Sequence, residues 1–155
     1  MANSQVQKVE TKVHIKASAE KFYDVMCNRT HHIAKICPEK VQAVKIHKGE
    51  WGDEGSIVSW NYLLDGKAWV AKEVVEGIDR ENNKMTFKVI EGDIFGYYKS
   101  FKFINQATPK IKGSEVHWVM EYEKQNHDIP DPHTLLQFAV EVSKDIDAYL
   151  TQDQK

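Results

Sequence analysis

The pattern of apolar and polar positions divides the chain into a strand-rich part and a long C-terminal helix. Between 131 and 150 apolar residues recur at steps of three and four, the period of an amphipathic helix. Asp131 and Pro132 predict its start, because an aspartate caps a first turn and a proline there loses no hydrogen bond. A helix of this length, roughly 30 Å, needs a large apolar surface to lie on. The stripe consists of Leu135, Phe138, Ala139, Val142, Ile146 and Tyr149.

Two short helices are predicted near the N-terminus. Ser18 is a suitable N-cap for a helix over 19–27, which places Phe22 on its apolar face. A second helix is predicted over 29–36, with Ile33 pointing inward. Helices this short are marginal on their own, so both are expected to pack against the rest of the protein.

The remaining segments show a period of two, which is typical of β-strands. The joints between them are rich in Gly, Asp, Asn and Pro, so tight turns and antiparallel neighbours are expected. The fold class is therefore α+β, with a sheet folded over one long helix. Strands are predicted at 6–15, 41–47, 55–64, 67–78, 84–91, 98–107 and 114–123.

One phase of these strands is apolar and strongly aromatic, while the alternate phase is polar and predicted to face water. In the strand at 67–78 both phases are plausible, so its inner face stays open. A packed core and a lined cavity both fit the inward set, and composition alone favours the packed core. The inward residues are Val58, Trp60, Tyr62, Met85, Phe87, Val89, Phe101, Phe103, Val116, Trp118, Met120 and Tyr122.

Composition narrows the function classes. The 155 residues are expected to form a single domain over 1–155. With a net charge of −2 and no lysine or arginine cluster, neither nucleic-acid binding nor attraction to an anionic membrane is expected. No apolar run is long enough for membrane insertion. Cys27 and Cys37 fit reduced thiols, and the first residues lack the apolar segment of a signal peptide, so a cytoplasmic location is expected.

Candidate catalytic and metal-binding groups are few. His31 and His32 are adjacent, so on a helix they point in different directions and cannot share a metal ion, and no metal or cofactor is predicted. The unambiguous inner phases contain no ionisable side chain for acid–base chemistry. Asp65, Lys72 and Glu73 lie in or beside the ambiguous strand, so they keep an enzymatic function open.

Seven short motifs resemble those of a known family. Together they are similar to the plant major latex protein branch of the birch-pollen-allergen (Bet v 1-like, START-like) superfamily, and the resemblance extends over essentially the whole chain. The loop at 49–55 departs from the glycine-rich loop of the wider superfamily, since it carries three acidic residues, and nucleotide binding there is not expected. The motifs lie at 45–51, 55–62, 65–68, 91–93, 98–101, 121–124 and 147–150.

The resemblance implies the helix-grip fold, in which a seven-stranded curved antiparallel sheet holds the C-terminal helix and two short helices close one end. It also implies an internal hydrophobic cavity, which replaces the packed core favoured by composition. Tyr62 and Tyr122 are candidate hydrogen-bonding groups within it. The implied ligand-binding residues are Phe22, Ile33, Val58, Trp60, Tyr62, Met85, Phe87, Val89, Phe101, Phe103, Trp118, Met120, Tyr122, Leu135, Phe138, Ala139 and Val142.

The function implied by the family is sequestration or transport of a small hydrophobic plant metabolite, hormone or lipid. Access is expected beside the turns at 65–66 and 92–93, because strand ends move more easily than strand centres. A link to defence or stress response is a family association that no residue supports. Two alternatives remain: an isomerase or cyclase on the same fold, and a ligand-dependent interaction module with a surface around Trp51.

Overall fold

The computed structural model describes residues 5–152, and its order of elements confirms the one predicted from the sequence. A 3₁₀ turn precedes the second helix at Thr30–His32, and another follows the fifth strand at Asp93–Gly96. The strands are β1 (Gln7–Ile15), β2 (Val41–Lys48), β3 (Ile57–Leu64), β4 (Lys67–Asp79), β5 (Lys84–Gly92), β6 (Tyr98–Pro109) and β7 (Ser114–Lys124). The α-helices are α1 (Ala19–Asn28), α2 (Ile33–Ile36) and α3 (His133–Thr151).

All seven strands form one antiparallel sheet in the order β1-β7-β6-β5-β4-β3-β2. Strands β2 to β7 therefore follow one another as a meander, and β1 pairs with the last strand of the chain. The register shifts at irregularities in β4, between Val75 and Gly77, and in β6, between Tyr98 and Ser100. Bulges of this kind bend a strand and increase its twist, which helps the sheet to curve around a helix.

The inner face of β4 is the one property of the sheet that the sequence left open. In the structure Ala71, Glu73 and Val75 are buried, whereas Val70 is 49% exposed. The inner phase is therefore that of Ala71, Glu73 and Val75, which places the carboxyl of Glu73 inside. The inward phases predicted for β3, β5, β6 and β7 are all confirmed by burial.

Three polar contacts hold helix α3 in addition to its apolar face: one reaches β7, and two reach the residues that follow β1 and precede β2. The indole Nε1 of Trp118 donates a hydrogen bond of 2.8 Å to Ser143 Oγ. Near the helix C-terminus, the Asp147 carboxylate accepts hydrogen bonds from the backbone N–H groups of Lys16 and Ala17. Asp145 pairs with the Lys40 ammonium at 2.7 Å. These contacts fix the height and direction of the helix above the sheet.

The start of α3 differs from the prediction. The helix begins at His133, and no side chain caps it. The Asp131 carboxylate instead accepts a hydrogen bond of 2.6 Å from Tyr122 Oη and pairs with Lys124 at 3.1 Å. Because two groups on β7 compete for this carboxylate, it holds the preceding loop to the sheet rather than capping the helix. The predicted apolar stripe is also one residue too long, since Tyr149 is 45% exposed.

The two short helices follow the prediction closely. Ser18 caps α1, and its hydroxyl accepts a hydrogen bond of 3.2 Å from the backbone N–H of Lys21. The second predicted helix is divided into the 3₁₀ turn and the single turn of α2, and Ile33 is completely buried. Both segments cover one end of the space between the sheet and α3.

We expect Asp147→Ala to destabilise the protein by about 1–3 kcal/mol, because two backbone N–H groups lose their acceptor. Urea unfolding of the variant and of the unmodified protein measures the difference. Asp128→Ala is a matched control, since its carboxylate is exposed and its ion pair is with the neighbouring, exposed His127. Equal stability of all three proteins would show that Asp147 does not hold the helix.

Candidate functional site

A cavity lies between the sheet and α3. The atom-free space there is about 600 Å³ and is partly open to solvent. Within it, the centre of a water-sized sphere can reach about 70 Å³. This is room for several water molecules or a small organic group. The lining residues are Met26, Ile33, Val41, Trp60, Tyr62, Glu73, Phe87, Phe103, Trp118, Leu135, Phe138, Ala139 and Val142.

The lining overlaps with the residues expected from the family resemblance. Ten of the expected ligand-binding residues line the cavity: Ile33, Trp60, Tyr62, Phe87, Phe103, Trp118, Leu135, Phe138, Ala139 and Val142. The structure adds Met26, Val41 and Glu73, which the sequence did not assign to the site. That any of these residues contacts a ligand stays a prediction.

Seven other expected residues are buried but do not line the cavity: Phe22, Val58, Met85, Val89, Phe101, Met120 and Tyr122. Some of them form a packed aromatic cluster, in which the Phe101 and Tyr122 rings stack with centroids 6.0 Å apart. Tyr98 packs edge-on against both rings and donates a hydrogen bond to the carbonyl of Pro130. The interior is therefore solid at this end, and the hydroxyl of Tyr122 is bound to Asp131 instead of facing the cavity.

Glu73 is the ionisable group that the sequence could not place. Its side chain is 5% exposed, lies between Val58 and Val89 on the neighbouring strands, and has no hydrogen bond or ion pair with any described residue. Burial raises the pKa of this carboxyl to about 8. The nearby indole N–H of Trp60 offsets part of the rise, although the two groups do not reach the geometry of a full hydrogen bond.

Two further polar atoms of the lining have no partner among residues 5–152. They are the indole Nε1 of Trp60 and the hydroxyl of Tyr62. Burial, followed by the charges of Glu73 and Asp93, raises the pKa of Tyr62, so its hydroxyl keeps its proton. Buried polar atoms are normally hydrogen-bonded, because an unsatisfied group loses its interaction with water. The cavity thus combines an apolar wall with one acid, one hydroxyl and one N–H group.

The other two groups that kept an enzymatic function open do not face the cavity. Lys72 lies on the outer face of β4 and pairs with Glu91 at 3.6 Å. Asp65 is exposed in the turn between β3 and β4, where its backbone is left-handed, with φ of 51°. Of the three candidates, only Glu73 belongs to the site, and the ambiguity of its strand was the only sequence signal for it.

A series of aromatic rings leads from the cavity to the surface. The ring of Tyr62 lies 5.5 Å from Phe138 and 6.2 Å from Trp69, and Trp69 stacks on Tyr97 at 5.7 Å. Tyr97 is 45% exposed. The rings lie beside the turns at 65–66 and 92–93, where the sequence predicts ligand access; access itself stays a prediction.

Other candidate chemistry finds little support among residues 5–152. No group of three or more His, Cys, Asp or Glu side chains there is arranged to hold a metal ion. Cys27 and Cys37 are buried free thiols, and burial raises the pKa of both, that of Cys37 to about 11, so neither is an activated nucleophile. In the same part of the chain, no helix has the length and apolar character needed to cross a bilayer.

Comparison with known proteins identifies the family. The pathogenesis-related protein Bet v 1 family matches residues 4–153. MLP-like protein 43 of Arabidopsis thaliana is 49% identical over 155 residues, which cover 99% of this chain and 98% of that protein. MLP-like protein 34 of the same plant is 53% identical over 148 residues, and the aligned region covers 94% of this chain but 47% of that longer protein.

Solved structures agree with this result. The crystal structure of ginseng major latex-like protein 151 from Panax ginseng superposes with a TM-score of 0.89 at 38% identity, covering 93% of this chain and 97% of the ginseng protein. The fold is thus the seven-stranded, helix-grip fold with a long C-terminal helix. The chain belongs to the Bet v 1 family. Within it, the sequence lies in the branch of the major latex-like proteins.

The buried carboxyl predicts a pH-dependent stability. Because the folded pKa of Glu73 is about 8 and its ordinary value is 4.5, folding favours the protonated form. The contribution of the protonated Glu73 carboxyl to the free energy of unfolding is fully present below pH 4.5 and is lost as the pH rises to about 8. Relative to Glu73→Gln, the unmodified protein should lose on the order of 4 kcal/mol across this window.

Urea unfolding of both proteins at several values between pH 5 and pH 9 measures this difference. The variant keeps the size of the side chain but cannot ionise, so other titrating groups cancel in the comparison. Parallel stability curves would mean that Glu73 is not desolvated in the folded protein.

Proposed function

We propose that this protein binds a small hydrophobic molecule in the cavity between its sheet and α3 and serves as a carrier or reservoir for it. The observation that supports this proposal most strongly is an apolar cavity whose wall contains the buried carboxyl of Glu73 and two unpartnered polar groups, the Tyr62 hydroxyl and the Trp60 indole N–H. A packed interior has neither the space nor such groups. Membership of the Bet v 1 family supports the same ligand class, and the ligand is proposed to be a plant metabolite, hormone or lipid.

Binding is driven by removal of apolar ligand surface from water. A ligand that buries about 200 Å² of apolar surface gains roughly 5 kcal/mol before the costs of association and ordering are subtracted. Aromatic walls such as Trp118 and Phe138 add shape selectivity, because planar ligands can stack on them or meet their edges. A few polar groups in an otherwise apolar lining are the usual arrangement of small-molecule sites.

The cavity is small for a binding pocket, which typically encloses about 300–1,000 Å³. A larger ligand therefore requires α3 or the turns beside Trp69 to move outward. The C-terminal half of α3 is held by Asp145 and Asp147, whereas its first turn lacks a side-chain cap. The first turns of the helix lie between the contacts of Asp131 and the Trp118–Ser143 hydrogen bond, and we expect this part to move when a ligand enters.

We expect Ala139→Phe to abolish uptake of an uncharged apolar probe, because the new ring fills the cavity from the inner face of α3. Fluorescence titration with N-phenyl-1-naphthylamine measures the loss, which should be at least about tenfold in affinity. Ala148→Phe introduces the same ring at an exposed position of the same helix and should bind the probe normally. Equal binding by both variants would place the probe elsewhere and contradict the proposal.

An isomerase or cyclase is a second candidate function. It is favoured by one observation, the buried carboxyl of Glu73 that faces the cavity, where burial raises its pKa to about 8. An acid with a pKa near the working pH is suited to proton transfer at neutral pH. Turnover of a bound substrate that is lost in Glu73→Gln, while substrate affinity remains, would support this candidate over a carrier.

A further inference from the structure

The polar groups in the cavity wall include an acidic side chain but no basic one. Among the described residues that line it, Glu73 and Tyr62 are the titratable ones, and neither a lysine, an arginine nor a histidine contributes to the wall. The lining residues from α1, α2, β2, β5, β6, β7 and α3 are all uncharged, and Lys72 beside Glu73 points to the outer face. The only charge that the cavity can acquire from its own wall at neutral pH is therefore negative.

A buried carboxyl without a partner is unusual. Buried charges in proteins are generally paired or hydrogen-bonded, because removing an ion from water is costly. In this structure each well-formed ion pair lies elsewhere, for example Lys40 with Asp145 and Lys102 with Glu76, while Glu73 has no cation within reach among residues 5–152. A positively charged hydrogen-bond donor on the cavity side of Glu73 would stabilise the ionised form of this carboxyl.

The neighbouring polar groups are arranged to support a cation at this point. The Tyr62 hydroxyl lies in the same cavity wall and has an oxygen that can accept a hydrogen bond from a cation, and Trp60 can donate its indole N–H to the ionised carboxylate. Aromatic rings of the lining, Trp60, Tyr62 and Phe87 among them, offer ring faces to a cation. An anionic ligand would be repelled by the ionised carboxyl, and none of the lining residues carries a positive charge that would offset this repulsion.

We propose that the cavity accepts a small apolar molecule that carries a protonated basic nitrogen, and that the Glu73 carboxylate is its counter-ion. This inference rests on the proposed binding function and narrows it to one ligand class, hydrophobic amines. When the ammonium binds, the Glu73 carboxyl releases its proton to solvent, so that an N–H⁺···⁻O hydrogen bond forms inside the cavity. Ligands of the same skeleton with a hydroxyl group bind more weakly, and those with a carboxylate bind most weakly.

Three probes with one skeleton test this selectivity: 4-phenylbutylamine, 4-phenylbutan-1-ol and 4-phenylbutanoate. In titration calorimetry at pH 7 the amine should bind at least about tenfold more tightly than the alcohol. Repeating the titration in buffers of different ionisation enthalpy should show release of close to one proton per amine and none per alcohol. Because the free carboxyl has a pKa of about 8, affinity for the amine should rise by about tenfold between pH 6 and pH 7.

Two variants assign the effect to Glu73. Glu73→Gln should weaken amine binding by at least about tenfold and abolish proton release, so that the amine loses its advantage over the alcohol. Glu76→Gln, on the same strand but paired with Lys102 outside the cavity, should behave like the unmodified protein. If Glu73→Gln does not fold, proton release by the unmodified protein and by Glu76→Gln decides the question.

The outcomes separate this inference from the proposed function. Equal affinities for amine and alcohol, or amine binding without proton release, would overturn the choice of ligand class, while uptake of the alcohol or of N-phenyl-1-naphthylamine would leave the carrier function intact. If the three probes and N-phenyl-1-naphthylamine all fail to bind, both proposals are wrong.

Discussion

The structure depends on how α3 is attached to the sheet without lying flat against it. The helix is held near its C-terminal end by the Asp147 carboxylate, in the middle by the Trp118–Ser143 hydrogen bond, and before its first turn by the contacts of Asp131. The attachment in the middle is made by Trp118, a residue that also lines the cavity. A hydrophobic interior normally closes on itself, so fixed polar contacts are what allow a space to persist.

The order and type of the elements followed from local sequence signals. The change from a period of two to a period near 3.6, the turn residues between strands and the Ser18 cap are short-range properties, and each is confirmed in the structure. The inward phases of four strands were equally clear, because polar and apolar residues alternate in most of their central positions; the exceptions are Ile104 and Val119, which face outward, and Asn105, which is buried. The identity of the family added the sheet topology, which periodicity alone does not determine.

The features that sequence reasoning missed depend on contacts between distant residues. Asp131 had the right position for an N-cap, but Tyr122 and Lys124 on the adjacent strand compete for its carboxylate. Glu73 sits in a strand with two plausible faces, and only pairing with β3 and β5 decides which face is buried. The interior is divided into a packed aromatic end and a hollow part. This division depends on how side chains from all strands fit together, and a local sequence pattern does not predict that fit.

The pairing of β1 with β7 has a consequence for how the chain folds during its synthesis. As the polypeptide leaves the ribosome, β2 to β7 can pair with strands that have just emerged, but β1 waits for a partner that begins only at Ser114. Contacts between residues so far apart along the chain form slowly, since a long loop has to close first. The sheet is therefore completed late in synthesis, shortly before the terminal helix emerges, and the edge of β1 that pairs with β7 stays unpaired until then.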